Sequence, residues 1–209
     1  MITSIFHPNA LIWVYQFLYT VCFIPQFVTN YKLKTGKGLS DLFLLAYLNM
    51  SEALLFYAFC VGLPPAYQFF YPIQTVSVLI LILQRLWYDK MADSKWYWLM
   101  YTINLAAPIV LIPYAVGHCS LVGNITGWTF FIISFVCQLP LVIKIASSKS
   151  VRGISFLFLL ITGIAGIMEL YVALVMWLPI QTILGALRVV IFFVIFCIQF
   201  LLYNNKSNA

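Results

Sequence analysis

The chain has 209 residues, 64% of them hydrophobic and 8% charged, with a mean hydropathy of +1.03. No soluble domain covers so much apolar surface with so few charges, which leaves a polytopic helical membrane protein; the apolar runs are continuous, without the two-residue alternation of a membrane β-barrel. The net charge of +6 does not point to nucleic acid, because the basic residues cluster in loops between the apolar runs.

A membrane-spanning helix needs about 20 apolar residues, and seven such segments follow one another. The first, 10–31, is expected to be bent or broken at Pro25. The second is 39–61, and the third is 68–88 with Pro72 in its first turn. The fourth, 96–116, contains Pro108 and Pro113, and the fifth, 121–146, carries Pro140. The sixth and seventh are 154–177 and 180–203. Residues 1–9 hold no Lys or Arg and lead to no small-residue cleavage site, so the first span is expected to be retained.

The chain contains its own partial copy. Residues 25–45 and 140–160 align without a gap at an offset of 115. Identical across the two are Pro25 and Pro140, Lys34 and Lys149, Gly38 and Gly153, Ser40 and Ser155, and the run Leu42 to Leu45 with its counterpart from Leu157, while Pro64 and Pro179 keep the offset further on. Duplication groups the spans as three, one, three. Three spans return the chain to the opposite side, so an odd connector is needed for both units to insert the same way. The expected fold is all-α: two parallel triple-helix bundles, 10–88 and 121–203, joined by a linker helix at 96–116.

Ten of the eleven basic residues fall on one side of this arrangement, in the loops holding Lys32, Lys34, Lys37, Arg85, Lys90, Lys95, Lys144, Lys149 and Arg152 and in the tail at Lys206. That side is expected to be cytoplasmic, with the N-terminus outside or luminal. Trp87, Tyr88, Trp96 and Trp98 flank one of these loops as an interfacial belt would. Cys22, Cys60, Cys119, Cys137 and Cys197 read as buried free thiols without metal-ligand spacing, with Cys60 and Cys119 the one pair worth testing for a disulfide. The sequon at Asn124 lies too close to the fifth span to be read as used.

Pro25 and Pro140 each remove a helical hydrogen bond, freeing the carbonyls of Val21 and Val136. Their equivalent placement favours hinges over static kinks, and Gln26 is placed to bond a freed carbonyl or to line a pathway. Gly38 and Gly153 allow a tight turn, and Ser40 and Ser155 can cap the helices that follow. Three charges lie within spans: Glu52, Glu169 and Arg188. Each costs about 2.5–3.5 kcal/mol or more at mid-bilayer and should face the interior with a partner. All three are roughly nine or ten residues, about 12–17 Å, from the outer surface. In one reading Arg188 holds a substrate carboxylate while a Glu binds protons or an amine; in the other, Glu169 and Arg188 form a structural pair. Either leaves one surplus carboxylate as the candidate for proton coupling. Asn49, Gln74 and Gln181 are further candidates for lining the pathway, and interhelical hydrogen bonding accounts for them as well. There is no nucleophile elbow, phosphate-binding loop or metal cluster, so neither enzyme chemistry nor a cofactor is expected.

Pro25-Gln26 at the end of the first span, a basic hinge ending in Lys37-Gly38-Leu39-Ser40, and a degenerate second copy after a linker helix resemble the PQ-loop family of membrane proteins, which includes sugar and amino-acid transporters. The resemblance implies two triple-helix bundles around a central path, with the prolines as flexing points for alternating access. The second copy reads Pro140-Leu141 instead of Pro-Gln, and the second and sixth spans lack the hinge prolines of the sugar transporters. The expected function is transport of a small polar solute, an amino acid or another carboxylate or zwitterion, with protons as a coupling partner and the monomer as the unit. The alternatives are a sugar facilitator and a non-transporting cargo receptor or helper protein of the same fold.

Overall fold

The computed structural model describes residues 7–89 and 95–203; Lys90, Lys206 and the tail lie outside them, as do the side chains of Lys95, Trp96, Trp98 and Pro108. The described residues form eight helices: α1 (Pro8–Val21), α2 (Phe23–Leu33), α3 (Asp41–Val61), α4 (Pro65–Tyr88), α5 (Lys95–Gly117), α6 (Cys119–Ser148), α7 (Phe156–Val175) and α8 (Ile180–Tyr203). Among the described residues, six stretches are long and apolar enough to cross a membrane: α1 with α2, then α3, α4, α6, α7 and α8. The fourth of the seven expected spans corresponds to α5, 23 residues with several side chains outside the described residues.

The first expected span is interrupted at Cys22, three residues before Pro25, so that α1 and α2 meet there. Pro140, its counterpart, lies inside an unbroken α6 of 30 residues. The third span begins earlier than expected. Pro65 takes the first helical position, where a missing N–H costs nothing, and Pro72 therefore sits well inside α4 instead of in its first turn.

The duplication is visible in backbone detail. Lys34 and Lys149 end α2 and α6 in the left-handed region, each at φ 49°. The turns after them close with equivalent bonds, Leu39 N–H to the Gly36 carbonyl and Ile154 N–H to the Val151 carbonyl. Ser40 then caps α3 by accepting from Phe43 N–H at 3.0 Å, and Ser155 caps α7 by accepting from Phe158 N–H at 3.3 Å, each worth about 1 kcal/mol. At the far ends, Leu63 N–H returns to the Ala58 carbonyl and Leu178 N–H to the Ala173 carbonyl, both at 3.0 Å. Gly62 supplies the positive φ of the first of these turns at 70°; in the second the same place is taken by Trp177, at φ 51° and 88% exposed.

The two basic hinges touch. A Cβ placed on Gly38 would lie 2.0 Å from the Gly153 carbonyl oxygen, so only glycine lets the two backbones approach this closely. Behind this contact a cluster of Cys22, Phe23, Leu39, Phe43, Leu141, Ile145 and Phe158 fills the hinge end of the bundle. A second cluster, with Ile12, Tyr15, Tyr57, Tyr67 and Ala165, fills the opposite end. The most extensive packing between helices is α3 against α6, and α1 packs on α7, so the two copies meet along two seams. Glycines in the second copy serve close packing: a side chain at Gly163 would meet Phe193, and one at Gly185 would meet Phe130. All five cysteines are free thiols, including Cys60 and Cys119.

Gly38→Ala is expected to lower stability by about 1–3 kcal/mol or more, because backbone and not a flexible side chain must give way. Gly117, around which a Cβ would meet nothing within 4 Å, should tolerate alanine to within about 0.5 kcal/mol. Thermal unfolding of the two purified variants in one detergent checks both.

Candidate functional site

Between the two apolar clusters lies a cavity of about 80 Å³, room for several waters or one small solute. Its polar lining divides by copy. Gln16, Tyr19, Tyr47, Tyr71 and Gln74, all neutral, come from the first; Gln138, Thr162, Glu169 and Arg188, including both charges, come from the second. Glu169 is buried on α7 and accepts a hydrogen bond from the Tyr19 hydroxyl of α1 at 2.7 Å, across one seam between the copies. Gly166, one turn before it on α7, leaves the room that Val189 of α8 occupies. Arg188 is buried on α8, and its Nη1 donates to the Ser134 carbonyl of α6 at 2.8 Å.

Glu169 and Arg188 therefore share a cavity without forming an ion pair with each other; the ion pairs among the described residues are those of Arg85 with Asp41 and Asp89. Gln74 Nε2 donates to Gln16 Oε1 at 3.0 Å, while Gln16 Nε2, itself buried, has no acceptor among the described residues. The cavity thus offers a cation, a carboxylate and an unspent amide donor to whatever enters it.

Glu52 does not join them. It lies partly exposed on α3 and does not line the cavity. The reason is helical phase. The residue 115 before Glu169 is Leu54, which does line the cavity, whereas Glu52 is two positions earlier, about 200° around the helix. Asn49 shares the Glu52 face and donates to the Leu45 carbonyl of its own helix at 2.9 Å. Gln181 reaches Asn124 near the first turns of α8 and α6 at 3.5 Å, also away from the cavity. Of the pathway candidates, Gln74, Glu169 and Arg188 meet there.

Gln26 has a different task from either expected one. Fully buried, it donates through Nε2 to the Gly153 carbonyl at 2.9 Å and accepts through Oε1 from Ser155 N–H at 2.9 Å. One glutamine of the first copy thus holds both backbone groups of the second hinge. The link continues inward. Gln26 Nε2 also donates to Asn30 Oδ1 at 2.8 Å, Asn30 Nδ2 donates to Gln84 Oε1 at 3.1 Å, and Gln84 Nε2 donates to the Phe27 carbonyl at 3.3 Å. The second copy keeps only the last of these bonds, from Gln199 Nε2 to the Val142 carbonyl at 2.9 Å. With Leu141 and Ile145 in place of Gln26 and Asn30, Gln199 Oε1 is left buried without a donor among the described residues. A similar exchange occurs at the hinge-side ends of the outer helices. Arg85 binds Asp41 at 2.8 Å in the first copy, and the equivalent Phe200 packs on Phe156 at 5.1 Å between ring centroids in the second.

The first hinge is anchored by Asp89, which accepts from the Thr35 hydroxyl at 2.6 Å, the Gly36 N–H at 3.0 Å and Arg85 Nη1 at 2.5 Å. Burial pushes the Asp89 carboxyl up, but these three donors outweigh it and hold the group below its usual range. Neither this anchor nor the Gln26–Asn30–Gln84 chain was anticipated from the sequence. The four-residue spacing of Gln26 and Asn30, which puts two amides on one helical face, was the available sign. Gln16 and Tyr19, three residues apart in the first span, carried a similar one.

The family model for the PQ loop repeat matches residues 8–67 and again residues 122–182. The first match runs from α1 into α4 and the second from α6 into α8, so each copy is recognised through its own hinge. A search of curated proteins returns no match.

Gln26→Leu, which gives the first copy the residue of the second, strands the half-buried Gly153 carbonyl and Ser155 N–H and should cost about 2–4 kcal/mol in unfolding experiments. The Asp89 anchor should respond to acid in a defined direction. Its contribution is complete above the unfolded carboxylate value of about 4 and is lost as pH falls through the lower folded value. The melting temperature of Asp89→Asn should therefore fall below wild type at neutral pH, and the gap should close only under strongly acidic conditions.

Proposed function

The chain belongs to the PQ-loop family, whose members are generally membrane transporters, and from that premise we propose that it moves a small carboxylate or zwitterion, an amino acid foremost, by alternating access. In this reading the protein has seven spans. α1 to α4 form one triple-helix bundle and α6 to α8 a parallel one, with α5 as the linker and the basic hinge end in the cytoplasm. The observation that supports it best is the pair of buried, unlike charges that face one cavity without neutralising each other. Charges within spans are costly, and here neither is spent on the other. Arg188 binds the solute carboxylate, and Glu169, steadied by Tyr19, binds its ammonium or carries a coupled proton. Gln16 supplies the further donor for a carboxylate oxygen. The surplus carboxylate Glu52, outside the cavity, takes no part in coupling.

A sugar facilitator is the second reading, favoured by the neutral wall of Gln16, Gln74, Tyr19, Tyr47 and Tyr71, whose amides, hydroxyls and ring faces suit a sugar. Flux into liposomes carrying the purified protein separates the two, with labelled amino acids and hexoses supplied with and without a proton gradient. Arg188→Gln should cut amino-acid uptake roughly tenfold to a hundredfold, the loss expected for one charged hydrogen-bonding contact. Glu169→Gln should abolish gradient-driven accumulation and spare counterflow, and Glu52→Gln should behave as wild type. Hexose flux with no amino-acid flux would decide for the sugar reading, and full activity of Arg188→Gln would end the carboxylate one.

A further inference from the structure

The second motif has lost its glutamine, yet the backbone that a glutamine would hold is not bare. By the offset of 115, the counterpart of Gln26 is Leu141, which can neither donate nor accept, and the counterpart of the Gly153 carbonyl is that of Gly38. The Gly38 carbonyl accepts a hydrogen bond from the Lys144 ammonium at 3.0 Å, and the same ammonium reaches the carbonyl of Lys37. Lys144 stands where the first copy has Thr29, whose hydroxyl is spent on the Pro25 carbonyl of its own helix at 2.8 Å. The donor has therefore moved one turn along the helix, from position 141 to position 144, and still arrives at the same carbonyl.

We propose that Lys144 is the positioning residue that replaces the missing glutamine: its ammonium fastens the first hinge to α6 as Gln26 fastens the second hinge to α2, and together they close the hinge end. Each hinge is then held by a helix of the other copy, so the bundle cannot part at this end until both links break. The two links differ in kind. Gln26 is enclosed and bonded through both ends of its amide, whereas Lys144 sits at the rim as a flexible single-ended donor. The side chains of Arg85, Asp41 and Asp89 are the charged groups facing it, two carboxylates balancing two cations. Lys144 is accordingly the link that yields first when this end opens.

The inference rests on the alternating-access reading, but its test needs no solute. Cys22 and Cys137 are 1% and 0% exposed, Cys22 in the cluster directly behind the hinges, whereas Cys119 is exposed at the opposite end. The full-length protein is alkylated with a maleimide and each cysteine is scored separately by peptide mass spectrometry. Lys144→Met should raise the rate at Cys22 roughly tenfold or more, the loss of one charged hydrogen bond, with Cys119 unchanged. Adding Leu141→Gln should restore protection by rebuilding the glutamine link of the first copy, and Lys144→Arg should retain it. An unchanged rate at Cys22 in Lys144→Met would overturn the proposal, as would a double variant no better protected than the single one. A uniform rise at all five cysteines would also overturn it, by making Lys144 a general structural residue. Lys144-dependent protection without solute flux would sink the transport reading alone; flux without that protection would sink this inference alone.

Discussion

Everything in this structure turns on the approach of two glycine backbones. Gly38 and Gly153 meet so closely that neither can carry a side chain, and that contact fixes where two helix starts, two helix ends and two basic loops must lie. Polar backbone groups brought together in an apolar bundle need partners, because a buried and unsatisfied one costs about 1–3 kcal/mol. The side chains around the hinges are the answer to that need: Gln26 for the second, Lys144 and Asp89 for the first. The apolar cluster behind them then seals the end, and the cavity is what remains between it and the cluster at the other end.

The two copies solve one geometric problem with different chemistry. The first uses an amide chain and an ion pair; the second uses leucine, isoleucine and a pair of phenylalanines at the matching positions. The charges are distributed the other way. Both in the cavity belong to the second copy, and the first contributes only neutral hydrogen-bonding groups there. The first copy is therefore polar at the hinge end where its twin is apolar, and neutral in the cavity where its twin is charged, so a solute in the cavity would meet two unlike walls.

Much of this was legible before any coordinates. The offset of 115, the matching prolines and the cap serines are local features, and local features survive from sequence to structure because they depend on a few adjacent residues. What escaped was rotational phase. Glu52 and Glu169 stand at similar depth, but depth along a helix says nothing of direction, and a difference of two residues turned Glu52 out of the cavity. Gln26 escaped for another reason: its partners are 127 and 129 residues away, and pairing between copies leaves no trace in either copy alone. Of the two readings left open for Glu169 and Arg188, the paired one is not what the side chains adopt, because each bonds elsewhere, to a tyrosine hydroxyl and a backbone carbonyl.

Trp177 carries a consequence of its own. It occupies a left-handed backbone position that the first copy assigns to Gly62, and its indole is almost wholly uncovered. A bulky residue there costs about 1–2 kcal/mol, and the described residues leave its indole almost uncovered. Indole favours the boundary between lipid tails and water, so a bilayer whose surface lay at this turn would supply the compensation. There the turn after α7 would act as a float, and the depth and tilt at which the second copy rides would follow the thickness of the lipid around it.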